Sequence, residues 1–121
     1  PASITQDPLW SFQTYRKALF LSDLAWFDAE KLLQDARARL WLDNCWTQQA
    51  IPANIEEGFG RGFSKDYGRF LKIALGSARE TRGWYYRSRH VFDPAMLERR
   101  LKLADEIISG LVTTAKQQYN R

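Results

Sequence analysis

Five polar residues flank a glycine-rich reversal at helical spacing: Asn54, Glu57 and Arg61 at i, i+3 and i+7, then Ser77 and Glu80 at i and i+3. Converging across a hairpin, they would form a polar pocket in which Glu57 and Glu80 could act as general acid and base. The same residue types also make a hydrogen-bonded cluster that fixes the register of two helices, because half-buried polar groups must find partners. Arg61 and Arg79 stand close enough to neutralise both carboxylates, so a structural polar cluster is the expected role. No residue is assigned as catalytic, and the chain is expected not to be an enzyme.

Other chemistries fail on spacing. The only histidine, His90, has Arg87 three residues before it, where a carboxylate-bridged di-iron bundle requires Glu-x-x-His pairs. One Cys and one His in separate segments make no zinc site. No metal or other cofactor, and no small-molecule substrate, is therefore expected. Cys45 has no histidine in its segment to activate it and reads as a small buried hydrophobe. A single cysteine also fits a reducing compartment, so the expected location is the cytoplasm. Gly58, Gly60 and Gly62 are not part of G-x-x-x-x-G-K-[ST] and follow no strand pattern, so turn chemistry explains them.

The charge is segregated. The whole chain carries +4, yet residues 1–59 hold five basic and eight acidic side chains whereas residues 60–90 hold eight and two. Lys65, Arg69, Lys72 and Arg79 follow one helical line, with Arg82 and Arg89 on a neighbouring one. Such a stripe binds phosphate backbones through counterion release. It could equally be a solvated helix face, or pair with the acidic first half of another copy.

These residues must be positioned by helices. The chain is expected to be one domain of 121 residues. Asp7-Pro8 supplies a cap and a first-turn proline for a helix over 8–33, with Phe12, Tyr15, Leu19, Ser22, Trp26, Ala29 and Leu33 as its apolar line. A second helix over 37–60 carries Ala38, Trp41, Cys45, Gln48, Pro52, Ile55 and Phe59, with a bend expected near Pro52. A third, over 64–89, is capped by Ser64 and lined by Tyr67, Leu71, Ala74, Ala78, Thr81 and Tyr85. Its glycines, Gly68, Gly76 and Gly83, suggest close approach by another helix. Asp93-Pro94 opens a fourth over 94–118, lined by Leu97, Leu101, Ala104, Ile108, Leu111 and Ala115. The fold class is all-α: an antiparallel, up-down-up-down four-helix bundle.

Aromatic residues make up 14% of the chain, five of them Trp. Trp10, Phe20, Leu24, Trp26 and Phe27 exceed what one seam needs and are expected to contact another subunit. No apolar run is long enough for a membrane span, no secretory signal is expected, and no membrane partner either.

From Ile51 to Glu80 the sequence resembles the 23S rRNA-intervening-sequence proteins, four-helix-bundle proteins with the hallmark I-P-x-N-I-A-E-G-F-G-R followed by K-D-Y-x-R-F-L-x-I-A-L-G-S-x-x-E. Ile51, Pro52, Asn54, Ile55, Glu57, Gly58, Phe59, Gly60, Arg61, Lys65, Asp66, Tyr67, Arg69, Phe70, Leu71, Ile73, Ala74, Leu75, Gly76, Ser77 and Glu80 match it. The resemblance implies a left-handed antiparallel bundle that assembles as a homopentamer, and a family whose biochemical role is not established. The implied fold is also similar to that of the accessory protein of diversity-generating retroelements, a basic pentamer that works with a reverse transcriptase and its RNA. Glu56 departs from the pattern, standing where a small residue is usual. Asn44 to Gln49 also departs, standing where relatives often carry Arg, so a nucleic-acid role resting on those arginines does not carry over. The expected function is a homo-oligomeric scaffold or adaptor that meets RNA or a ribonucleoprotein through its basic third helix. The alternative is a protein-interaction module that docks an acidic partner such as a reverse transcriptase without touching nucleic acid.

Overall fold

The computed structural model describes residues 1–34, 46–62 and 65–120. Ala38, Trp41 and Cys45 of the expected second helix, and Ser64 as cap of the third, lie outside the described residues. A helical turn (Ala2–Thr5) and a 3-10 turn (Pro8–Ser11) lead into four long helices: α1 Gln13–Leu33, α2 Trp46–Gly60, α3 Lys65–Arg87 and α4 Pro94–Tyr119. Among the described residues there is no strand. The helices pack in a ring, α1 on α2, α2 on α3, α3 on α4 and α4 back on α1. The α3–α4 pair is the most extensive of these. No helix among the described residues is long and apolar enough to cross a membrane.

The two Asp-Pro starts behave differently. Asp93 Oδ2 accepts from Met96 N–H at 3.1 Å, an N-cap reaching three residues ahead, and α4 begins at Pro94 as expected. Asp7 Oδ1 accepts from Leu9 N–H at 2.8 Å, only two residues ahead, and Ser11 Oγ donates to the Pro8 carbonyl. That pattern closes a single 3-10 turn, leaves Phe12 extended (φ −78, ψ 103), and delays α1 to Gln13 rather than residue 8.

One apolar cluster draws on all four helices, among them Leu21 and Leu32 from α1, Ile51 and Ile55 from α2, Leu71 and Ala78 from α3, and Ile107 and Leu111 from α4. Each fully buried large aliphatic contributes about 1.5–3 kcal/mol. The α3 line of Tyr67, Leu71, Ala74, Ala78, Thr81 and Tyr85 is buried throughout. On α1 the buried face is Tyr15, Ala18, Leu21, Ser22, Ala25, Asp28 and Leu32, so Trp26 and Leu33 lie outside the core line expected for them. Ala18, Ser22 and Ala25 face inward between Tyr15, Leu21 and Leu32, while Phe20, Trp26 and Phe27 face out. On α4, Leu97 and Leu101 are half-buried and the buried line starts with Met96, then Ala104 and Ile107.

α2 runs on through Pro52, which is buried; the missing N–H removes one helical bond without ending the helix. Gly62, at φ +96, supplies the left-handed residue that follows α2. Buried Asp28 ties three helices together. Its Oδ2 accepts from Tyr85 OH at 2.6 Å and Arg100 Nε at 2.8 Å, and its Oδ1 from a second Arg100 nitrogen at 3.3 Å. Burial, then the neighbouring Asp28 charge, pushes the Tyr85 phenol far above its usual range, so it stays a donor.

Candidate functional site

The outward face of α3 carries Lys65, Arg69, Lys72 and Arg79, all exposed, with Arg82 half-buried at its edge and Arg89 exposed just past its end. Local chemistry orders several of them. Arg69 donates to Asp66 Oδ1 at 3.2 Å and its guanidinium lies 4.6 Å from the Phe70 ring centre. Lys72 Nζ sits 4.3 Å from the Tyr119 ring, and Arg89 sits 4.4 Å from the Tyr86 ring while donating to the Tyr86 carbonyl at 3.0 Å. Arg82 is paired with Asp105 at 2.8 Å. Among the described residues Lys65 and Arg79 are in no ion pair.

Cations on aromatic rings are the feature sequence reasoning missed. Tyr86 is 54% exposed and Tyr119 36% exposed, so the rings beside Arg89 and Lys72 offer π-surface to solvent. A positively charged face with exposed rings can hold a phosphate backbone and stack bases at once. Tyr86 is three residues from Arg89 and could have been found by spacing. Tyr119 comes from α4 and gave no such signal.

The five polar residues of the hairpin bond mainly within their own helices. Asn54 Nδ2 donates to the Ala50 carbonyl of its own helix at 2.8 Å. Glu57 pairs with Arg61 at 2.9 Å on the surface, and Arg61 lies 3.8 Å from Asp66 at the start of α3. Ser77 is engaged through its carbonyl, which accepts from Thr81 Oγ1 at 2.8 Å, and Glu80 is exposed. Further along the hairpin, Thr81 Oγ1 lies 3.0 Å from Thr47 Oγ1, tying α2 to α3.

On the opposite helix the aromatic surplus is in view: Phe20 is 55%, Trp26 69% and Phe27 62% exposed, while Trp10 and Leu24 are half-buried. Asp23 and Glu30 are exposed among them. Of the α3 glycines, Gly68 is closely approached, since a Cβ there would come within 2.8 Å of the Tyr119 ring. Gly76 faces open space and Gly83 meets only Arg87 of its own helix, so neither is explained by packing within the chain.

A family model described as 23S rRNA-intervening sequence protein matches residues 14–113, from the start of α1 well into α4. The chain belongs to the 23S rRNA-intervening sequence protein family. The match spans both the basic face of α3 and the aromatic face of α1, so neither is an appendage outside the family's domain. No curated protein and no solved structure matches the chain. What members of the 23S rRNA-intervening sequence protein family do biochemically is not established.

Proposed function

We propose that this protein is a non-enzymatic, cytoplasmic, homo-oligomeric scaffold that associates with RNA or a ribonucleoprotein through the outward face of α3. The observation that carries this reading is the row of exposed cations on α3 and just past its end, in which Lys72 and Arg89 lie on the exposed rings of Tyr119 and Tyr86. Repetition of that face around a homo-oligomer multiplies the field seen by a polyanion. The assembly we infer is a homopentamer of left-handed, antiparallel up-down-up-down bundles, each chain a single domain. Supporting the antiparallel order, Thr47 early in α2 meets Thr81 late in α3, while Gly58 late in α2 abuts Tyr67 and Phe70 early in α3. Supporting self-association, Phe20, Trp26 and Phe27 leave on one helix an apolar area of the kind that marks interaction surfaces.

Fluorescence anisotropy with a single-stranded RNA, repeated across salt concentrations, tests the RNA reading. Neutralising four phosphates gives a slope of about −3 in log K against log salt, at roughly −0.7 per phosphate. A flat response, or capture of a protein partner that survives nuclease, would replace RNA with an acidic protein as the ligand.

A further inference from the structure

Where the two N-terminal turns lie against the start of α1 and the end of α2, they form a half-open pocket of ≈ 450 Å³. Asp7, Trp10, Tyr15, Glu56 and Phe59 line it, and among the described residues no Lys, Arg or His does. In a chain of net charge +4 this is a local inversion: two carboxylates and three aromatic rings without a lining cation.

The carboxylates are held in place. Asp7 Oδ1 accepts from Leu9 N–H at 2.8 Å and Glu56 Oε2 accepts from Tyr15 OH at 2.5 Å. Among the described residues each makes its hydrogen bond through one oxygen, and an ionised carboxylate has capacity for more. Burial, then the bond to Glu56 and the charges of Glu56 and Asp7, pushes the Tyr15 phenol well above its usual range, so it remains a donor near neutral pH. Trp10 already meets one guanidinium: Arg16, not itself a lining residue, is centred 5.9 Å from the indole and donates to the Trp10 carbonyl at 2.9 Å.

We propose that this pocket binds the guanidinium of an arginine carried on a peptide. Fixed carboxylates can take the planar donors of Arg side by side, and aromatic faces accept the cation. Lys, a strongly hydrated point charge, uses such walls less well. The volume falls in the range of small-ligand pockets, which suits a side chain with its flanking backbone. Two sources supply that chemistry, the basic tail of another protein and a second copy of this chain, and sedimentation tells them apart.

The test is calorimetric titration of the full chain with N-acetyl-arginine N-methylamide and with the corresponding citrulline amide, which keeps the shape and loses the charge. Saturable binding of the arginine probe is expected, about tenfold or more weaker for citrulline and for Glu56→Gln. Glu80→Gln, an exposed carboxylate on α3, should bind as the unmodified chain does. Glu56 is itself exposed, so Glu56→Gln should melt normally, and Asp7→Asn provides a second variant with the same expected loss. Absence of saturation, equal binding of citrulline, or unchanged binding by both variants would overturn the proposal. Sedimentation of Glu56→Gln then separates the two sources: an assembly that falls apart assigns the arginine to a neighbouring copy, and one that stays intact assigns it to another protein.

Discussion

The outward faces of α1 and α3 are both presented to solvent, and they solve that exposure in opposite ways. α3 shows Lys65, Arg69, Lys72 and Arg79, which water stabilises as they stand; α1 shows Phe20, Trp26 and Phe27, which water does not. On their inner sides both helices feed one apolar cluster, and Tyr85 OH donates to buried Asp28 between them. A charged face can wait for a ligand at little cost, whereas a face with three exposed aromatic rings is stabilised by being covered. On the proposed function, that difference gives α1 to assembly and α3 to a polyanion.

The comparison breaks most completely at α1. Trp26→Glu with Phe27→Glu should disperse the oligomer to single chains while the circular dichroism spectrum is retained, because neither side chain belongs to the core cluster. Sedimentation velocity checks this, and an intact oligomer would return these residues to ordinary surface. On α3, Arg69→Glu with Lys72→Glu should weaken RNA binding roughly a hundredfold at moderate salt and leave the assembly intact. Loss of both together would mean the two faces are one interface.

Smaller effects sharpen the comparison within the helices. A Cβ on Gly58 would lie 2.6 Å from the Phe70 Cβ, so Gly58→Ala should cost about 1–3 kcal/mol in denaturant melts. Gly76→Ala, on the outer face with nothing within 4 Å, should instead stabilise by up to about 1 kcal/mol. If Gly76→Ala also reduces RNA binding or assembly, something approaches that face closely. Confined to alkaline pH, and absent at neutrality, is a last effect: burial lifts the Tyr67 phenol from 10.0 to about 12. The folded state then holds a proton that the unfolded state releases, so this contribution is full below pH 10 and declines as pH rises towards 12. Tyr67→Phe should flatten the decline in melting temperature over that window.

The sequence revealed α3 most fully, because its apolar line is unbroken and its charges lie opposite. α1 was harder to read. Its core line interleaves Ala18, Ala25 and Asp28 with Leu21 and Leu32, whereas the larger Trp26, expected on that line, faces out. The Asp7-Pro8 and Asp93-Pro94 pairs look alike in sequence, yet one N-cap reaches two residues ahead and the other three. The basic stripe could be placed by spacing alone. Its ring partners could not all be: Tyr119 reaches Lys72 from the end of α4, a proximity that only packing creates. Asp28 pairs with Arg100, 72 positions away, a partnership that no local spacing shows.

Multi-angle light scattering of the purified chain, with and without nuclease, bears most directly on the division between an assembly face and a polyanion face. A nuclease-resistant particle of several 14.1 kDa chains is expected, losing bound RNA but not its stoichiometry on digestion. A particle of one 14.1 kDa chain at every concentration would contradict the account.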